Sequence, residues 1–280
     1  MRLFSVVIPA YNASGTLAET LDAMLGQRFD DWECIVVDDG STDDTRAIAE
    51  SYAGRDSRVQ VIAQANRGTG GAYNTGVSAA TAEWVTICSA DDVLLPTHLE
   101  SMAHAIEANP AIDILSCNGY YLRSDGSRTL VYPGRKGAVS RSWSLEDLFD
   151  RCFYSVGACY RRSLFERVGG YREDIYGEDY DFWLRAMAAG ARHVYLPEAL
   201  TLHRVSEGQK STDRRRAYES DIRSITTVVE SGTLSEQQAG AAQRAIRFRT
   251  RLISEIESPD RLANRLRRIL RPVVSWVRTR

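Results

Sequence analysis

Short runs of apolar and β-branched residues alternate with segments of helical periodicity over residues 1–110. The strand candidates are Phe4–Ile8, Trp32–Val37, Val59–Ala63 and Trp84–Cys88, and the helix candidates begin near Leu17, Asp43, Gly70 and Thr97. Strands that alternate with helices pair in parallel and carry helices on both faces of the sheet. The alternation therefore predicts an α/β fold that binds its ligand at the carboxyl ends of the strands.

The pattern changes after residue 110. Strand candidates at Ile112–Leu122 and Thr129–Tyr132 flank a turn, and helices are predicted over Ser144–Cys152, Ser163–Val168 and Glu178–Ala189. Beyond Ser211 the chain is polar and helical, with breaks near Gly232 and at Pro259. We expect a domain over residues 1–210, with halves at 1–110 and 111–210, and a helical extension over 211–280.

The composition is that of a globular protein. Hydrophobic residues make up 44% and charged residues 26% of the 280 residues, and no apolar run approaches the roughly 18 residues that a membrane span needs. The net charge of −2 gives no reason to expect nucleic acid as a partner. Five cysteines without a C-x-x-C pair, and an N-terminus without a signal-peptide pattern, favour a cytoplasmic location.

Two strand candidates end in paired carboxylates. Asp38-Asp39 follows the second strand, where we expect Asp39 to contact a ligand, while Ser41 and Asp43 satisfy a helix start. Asp91-Asp92 follows the fourth strand. Two adjacent carboxylates can hold a divalent ion with a diphosphate, or they can favour the start of the helix after Pro96. The pattern alone leaves these alternatives open.

A third acidic cluster, Glu178-Asp179-Tyr180-Asp181, stands at a helix start. Acidic residues in a first turn commonly stabilise the helix dipole, and the pattern by itself favours that interpretation. One of these carboxylates could instead take a proton from a sugar hydroxyl.

Taken in order, these segments resemble family 2 glycosyltransferases. The resemblance rests on Ser5–Asn12, Gln27, Ile35–Thr42, Asn66-x-Gly68, Asn74-x-Gly76, Asp91-Asp92 with Pro96, Gly169–Tyr171 and Glu178-Asp179-x-Asp181-x-Trp183-x-x-Arg185, and it covers residues 3 to about 210. It implies the GT-A fold, with a Rossmann-like mixed sheet, and inverting transfer of a glycosyl group from a UDP- or dTDP-linked sugar. The acceptor would be a glycan or a lipid-linked hydroxyl in cell-surface polysaccharide or glycolipid synthesis.

The resemblance also implies roles for individual residues. Asp179 falls on the catalytic base, and Asp91 and Asp92 fall on the motif that binds Mg²⁺ or Mn²⁺. The nucleotide-sugar site would include Pro9, Ala10, Tyr11, Asn12, Asp39, Asn66, Asn74 and Asp91. Acceptor-binding or supporting roles fall to Glu178, Trp183, Arg185 and His203.

The chain departs from the family pattern at three positions. Ser89 stands where an aspartate is frequent, Tyr73 where an arginine is frequent, and Ser206 where a metal-contacting histidine is frequent. His203 lies three residues before Ser206 and could take its place. These changes motivate an alternative, a weakly active sugar-nucleotide-binding module that supports a partner enzyme. A processive synthase is not expected, because the chain has neither membrane spans nor a Gln-x-x-Arg-Trp motif.

The C-terminal segment is basic. Residues 244–280 hold eleven arginines against Glu255, Glu257 and Asp260. An apolar stripe runs through Leu262, Leu266, Ile269, Leu270, Val273, Val274 and Val277. Such a stripe beside arginines is typical of a helix lying in a membrane surface, so we expect residues 260–280 to bind anionic lipid and the protein to be peripheral at the inner membrane face. Packing on the body or in a homo-oligomer is the alternative, which we favour for residues 212–258.

Overall fold

In the computed structural model of the chain, residues 2–132, 142–152, 154, 156–205 and 213–258 are described. Their helices are α1 (Leu17–Leu25), α2 (Thr45–Ala53), α3 (Gly68–Ala79), α4 (His98–Ala108), α5 (Leu145–Asp150), α6 (Arg162–Val168), α7 (Glu178–Ala188), α8 (Arg214–Glu230) and α9 (Glu236–Glu257). Their strands are β1 (Phe4–Ala10), β2 (Trp32–Asp38), β3 (Val59–Ala63), β4 (Trp84–Ile87), β5 (Val93–Leu94), β6 (Ile114–Leu122), β7 (Arg128–Leu130), β8 (Cys159–Arg161) and β9 (His193–Arg204).

The strands of the described residues form one mixed sheet in the order β3-β2-β1-β4-β8-β6-β9-β5, with β7 added on β6. The first four strands in this order are parallel to one another, as the alternation predicts. Strand β8 then runs antiparallel to both β4 and β6. One continuous sheet therefore joins the strands before and after residue 110, and the expected α/β mixed fold is confirmed.

Two apolar cores cover the two faces of the sheet. Val6 and Ile8 of β1 point into the core that contains α1, whereas Val7 between them points into the core that contains α7. This alternation follows from the two-residue period of a strand. Both faces of β1 and β2 are buried, which explains why their sequences are almost continuously apolar.

Helix α3 lies very close to the sheet. A Cβ atom on Gly76 would lie 2.3 Å from Cγ1 of Val7 and 3.2 Å from Cγ2 of Val37. Glycine at this position therefore permits a helix–sheet approach that no other residue would allow without displacement. The approach brings the start of α3 beside the carboxyl ends of β1 and β2.

Three strands were not predicted from the sequence. β5 and β8 have two and three residues, too few for a periodic pattern. β9 contains Pro197, and its pairing with β6 shifts register between Cys117–Leu196 and Asn118–Ala199. Proline lacks an N–H donor and is accommodated where strand pairing is irregular. A proline and an irregular register both interrupt the alternating pattern by which a strand is predicted from sequence.

Ser206 and the apolar stripe at 260–280 lie outside the described residues, so the predictions about them stay predictions. Within the described part of the chain, no helix is both long and apolar enough to cross a membrane.

Candidate functional site

A cavity of about 550 Å³ opens at the carboxyl end of β4. Its carboxylates come from three separate segments of the chain: Asp91 and Asp92 after β4, Glu178 and Asp179 at the start of α7, and Asp221 on α8. Its aromatic lining consists of Tyr73, Tyr121, Tyr132, Tyr154, Tyr176 and Trp183. Aromatic faces combined with convergent carboxylates suit a ligand with apolar ring faces and many hydroxyl groups.

The turn after β4 is held rigidly. The hydroxyl of Thr20 donates to the carbonyl oxygens of Ala90 at 3.1 Å and Asp92 at 2.8 Å. The N–H of Asp92 also donates to the Ser89 carbonyl at 3.1 Å. These bonds fix the backbone that carries Asp91 and Asp92, so their carboxylates keep a defined position at the end of the strand.

Strand β9 brings His203 to Asp92. Nδ1 of His203 lies 3.2 Å from Oδ1 of Asp92, and the Arg204 N–H donates to the same oxygen at 2.9 Å. Burial lowers the pKa of His203, but the hydrogen bond and charge of Asp92, with the charges of Asp91 and Asp179, outweigh burial and raise it. The structure thus places the predicted His203 beside the predicted metal carboxylates, through strand pairing rather than a loop shift.

The start of α7 presents Glu178 and Asp179 to the cavity. Oδ1 of Asp179 accepts a 2.7 Å hydrogen bond from the Tyr180 N–H, and Glu178 is buried. The third acid, Asp181, does not line the cavity and instead forms a buried ion pair with Arg185 at 2.8 Å. Of the three acids, Asp181 is therefore structural, whereas Glu178 and Asp179 line the cavity.

Arg185 stands behind the site and not in the cavity. Besides pairing with Asp181, its guanidinium donates to the Gly170 carbonyl at 2.7 Å, and so it ties α7 to the loop after α6. Trp183, by contrast, lies at the cavity wall and stacks on Tyr154 with ring centroids 4.3 Å apart. It is only 1% exposed, so it supports the aromatic wall from behind.

The residues at the ends of β1 and β2 that are predicted to bind the nucleotide do not line this cavity. Asp39 is almost fully buried, and its Oδ1 accepts hydrogen bonds from Gln64 at 2.6 Å and from the Arg67 N–H at 2.9 Å. Tyr11 is 53% exposed, and its neighbours Pro9 and Ala10 complete β1. An exposed ring beside a fixed carboxylate is compatible with binding a nucleobase.

Three predicted asparagines have partners within the protein. The side-chain oxygen of Asn12, which has a positive φ of 50°, accepts from the Thr42 N–H at 2.8 Å, and that of Asn66 accepts from the Gly68 N–H at 3.2 Å. Nδ2 of Asn74 donates to the Tyr171 carbonyl at 2.9 Å and to Oε1 of Glu173 at 3.2 Å, and Oδ1 accepts from the Tyr171 N–H. Asn74 does not line the cavity, and in this structure its amide joins α3 to the loop after α6.

Asp43 satisfies the start of α2, as predicted, because its carboxylate accepts from the Thr45 N–H at 3.0 Å. Ser41 instead accepts from the Asn12 N–H at 3.0 Å.

The sequence reasoning missed Asp221 and most of the aromatic lining. An isolated aspartate in a polar helix carries no motif, and Tyr73 was noted only as a departure at a position that the structure places in the cavity.

Comparison with known proteins gives the family. The model of "Glycosyl transferase family 2" matches residues 5–169. The chain is 35% identical over 211 residues to an uncharacterized glycosyltransferase, EpsJ, of Bacillus subtilis, covering 72% of this chain and 61% of that protein. It is 37% identical over 152 residues to the glycosyltransferase GlyG of Streptococcus pneumoniae, covering 54% and 50%. The chain thus spans only 50–61% of the length of these two relatives.

Solved structures share the fold. Residues 1–349 of S. aureus TarS superpose with a TM-score of 0.70 at 23% identity, covering 91% of this chain and 73% of that one. The mannosyltransferase PcManGT of Pyrobaculum calidifontis gives 0.67 at 20% identity, covering 99% and 83%. The fold is that of the GT-A glycosyltransferases, with a helical C-terminal region, and the chain belongs to glycosyltransferase family 2.

Proposed function

We propose that the chain transfers a sugar from a nucleoside-diphosphate sugar to a hydroxyl group of a glycan or lipid-linked acceptor, with inversion at the anomeric carbon and without processivity. The observation that carries this proposal is the convergence of Asp91, Asp92 and His203 with Glu178 and Asp179 in one cavity. Two relatives add support: ExoO of Rhizobium meliloti, 30% identical, is named a succinoglycan biosynthesis protein, and TarS has been solved with UDP-GlcNAc. The product would be a cell-surface polysaccharide or glycolipid.

Asp179 would act as the base. Its carboxylate takes the proton of the acceptor hydroxyl while that oxygen forms a bond to the anomeric carbon, and the bond from this carbon to the diphosphate breaks on the opposite face. The hydrogen bond from the Tyr180 N–H fixes the carboxylate for this transfer. Glu178, buried at the same helix start, supports the position of Asp179.

Asp91, Asp92 and His203 fit a divalent ion such as Mg²⁺ or Mn²⁺, because carboxylates and imidazole are ligands that such ions accept. PcManGT, which shares the fold, has been solved with GDP-Man and Mn²⁺. Among the described residues no group of three or more acidic, histidine or cysteine side chains is already arranged around a metal position, so oxygens of the diphosphate would complete the set. The ion would neutralise the negative charge of the departing diphosphate.

The nucleotide would lie along the ends of β1 and β2, beside Tyr11 and Asp39. The ring of Tyr11 is exposed for stacking on a base, and the Asp39 carboxylate is fixed by Gln64 and Arg67. Asn12 and Asn66 would shape this surface through their backbone bonds.

A screen of nucleotide sugars tests the proposal. The purified chain is incubated with UDP-, dTDP- and GDP-linked hexoses, with and without Mn²⁺, and release of the nucleoside diphosphate is measured. We expect one donor class to be hydrolysed slowly and turned over faster with acceptor. Binding of a nucleotide sugar without any turnover would favour a binding module instead.

A further inference from the structure

Helices α8 and α9 lie beyond the residues 5–169 that the family model matches. They nevertheless pack into the core beneath α7 through Ile225, Val228 and Ala242. Helix α8 also contributes Ala217 and Asp221 to the lining of the cavity. One wall of the site is therefore built from a segment that the family model does not describe.

Arg249 of α9 fixes the position of Asp221. Its guanidinium donates through Nε to Oδ2 of Asp221 at 2.7 Å, through Nη1 to the Phe149 carbonyl at 2.8 Å and through Nη2 to the Tyr180 hydroxyl at 3.3 Å. Arg249 is only 5% exposed, and a buried guanidinium needs all of these partners. The arrangement holds the Asp221 carboxylate in one orientation and joins it to the residue that follows Asp179.

The Asp221 side chain keeps 24% of its surface exposed within the cavity. Arg249 uses Oδ2, and no other described side chain is hydrogen-bonded to this carboxylate. Because each carboxylate oxygen accepts hydrogen bonds, Oδ1 is available to a ligand. A fixed, partly exposed carboxylate oxygen of this kind is suited to accept a hydrogen bond from a hydroxyl group of a ligand.

Asp221 lies on the α7 side of the cavity. Its partner Arg249 also donates to the hydroxyl of Tyr180, the residue after Asp179. Asp91 and Asp92 instead follow β4, and Asp92 contacts His203 of β9. Since the strand-end carboxylates are the group expected to hold the donor diphosphate, Asp221 is grouped with Asp179, where the acceptor hydroxyl is expected.

We propose that Asp221 recognises the acceptor, with Oδ1 accepting a hydrogen bond from a second hydroxyl of a hexopyranoside whose attacking hydroxyl lies at Asp179. Tyr176, on the same cavity lining, is partly exposed and can contact the apolar side of the sugar ring. Arg249 is a positioning residue that acts through Asp221. This inference rests on the proposed function of the chain.

The test separates acceptor binding from donor chemistry. With the full chain, donor hydrolysis is measured alone and then transfer is measured to a panel of p-nitrophenyl hexopyranosides. In Asp221→Asn the amide oxygen can pair with Arg249, which leaves the amide NH2 group, a hydrogen-bond donor, where the proposal requires an acceptor. We expect the acceptor KM to rise about 10-fold or more, and by a much larger factor than any change in the rate of donor hydrolysis. Glu230→Gln, the same change at an exposed carboxylate of α8, should behave as wild type.

An unchanged acceptor KM, or a parallel loss of hydrolysis and transfer, would overturn the assignment of Asp221. A wild-type chain that hydrolyses the donor but uses no hexopyranoside would refute the substrate class. Absence of both hydrolysis and transfer with every nucleotide sugar would instead refute the proposed function on which the inference depends.

Discussion

Asn74 on α3 and Tyr171 after α6 exchange two hydrogen bonds: Nδ2 of Asn74 donates to the Tyr171 carbonyl at 2.9 Å, and the Tyr171 N–H donates to Oδ1 of Asn74 at 2.8 Å. The pair joins segments that are 97 residues apart. It ties the helix that leans on β1 and β2 to the loop that leads into α7. The pair therefore links α3 to the segment that carries Asp179.

Replacement of Asn74 should loosen this connection. In Asn74→Asp a carboxylate oxygen faces the Tyr171 carbonyl and the Glu173 carboxylate, so both hydrogen bonds donated by Nδ2 are lost and acceptors oppose one another. We expect the free energy of unfolding to fall by about 1–3 kcal/mol, as measured by urea denaturation. Asn109→Asp, at an exposed helix end where Nδ2 donates only to the Ala105 carbonyl at 3.3 Å, should lower it by less, about 0.5–1 kcal/mol. Equal effects of the two substitutions would contradict the structural role.

Loss of the Asp179 carboxylate should remove catalysis and leave donor binding intact. General-base catalysis contributes about 10²–10⁴-fold, so we expect kcat of Asp179→Asn to fall by that factor. Calorimetric titration with the donor should give an affinity within about threefold of wild type. Glu178→Gln should show a smaller loss, since Glu178 is expected to support the helix start. Full activity of Asp179→Asn would rule out its role as base.

We expect sugar transfer to depend on a divalent ion held by Asp91, Asp92 and His203. Treatment with excess EDTA should abolish sugar transfer, and added Mn²⁺ should restore it. In Asp92→Ala the donor should bind with the same affinity in the presence and absence of Mn²⁺, because a ligand of the ion is missing. A wild-type rate that survives excess EDTA would show that this chain works without a metal, and Ser89 would then mark a metal-independent variant.

Two buried histidines should make stability pH-dependent. Burial lowers the pKa of His98 to about 4 and that of His193 to about 3. Below pH 6.5 these two histidines become protonated in the unfolded chain but stay neutral in the folded chain. The free energy of unfolding therefore falls as the pH decreases from 7 to 5, by about 2 kcal/mol for each histidine. Urea denaturation of His193→Gln should show a shallower pH dependence, and exposed His104→Gln should keep the wild-type slope.

Residues 260–280 should attach the protein to anionic membranes. The full chain should sediment with phosphatidylglycerol vesicles at low salt, with an attraction of about 1 kcal/mol for each arginine near the surface. A chain ending at Ser258 should remain in the supernatant, and high salt should release the full chain. If both chains sediment equally, or if neither does, the membrane role of this segment is wrong.

The local sequence was sufficient to predict the parallel strands and the positions of two carboxylate pairs at their ends. Each strand of that half is a short apolar run, and the residues after it meet at one sheet edge because parallel strands end together. This is why Asp91-Asp92 could be placed from the chain order alone. The role of Glu178-Asp179 needed the family resemblance, since acidic residues at a helix start are also a common local pattern.

Tertiary structure decided which distant residues share the cavity. His203 reaches Asp92 across 111 positions because β9 pairs with β5, and Asp221 enters the lining because Arg249 and the apolar faces of α8 and α9 dock beneath α7. It also separated Asp181 from Asp179, two residues apart on one helix. Local propensity depends on neighbours in the chain, whereas these placements depend on packing between segments that meet only after the sheet and both cores have formed.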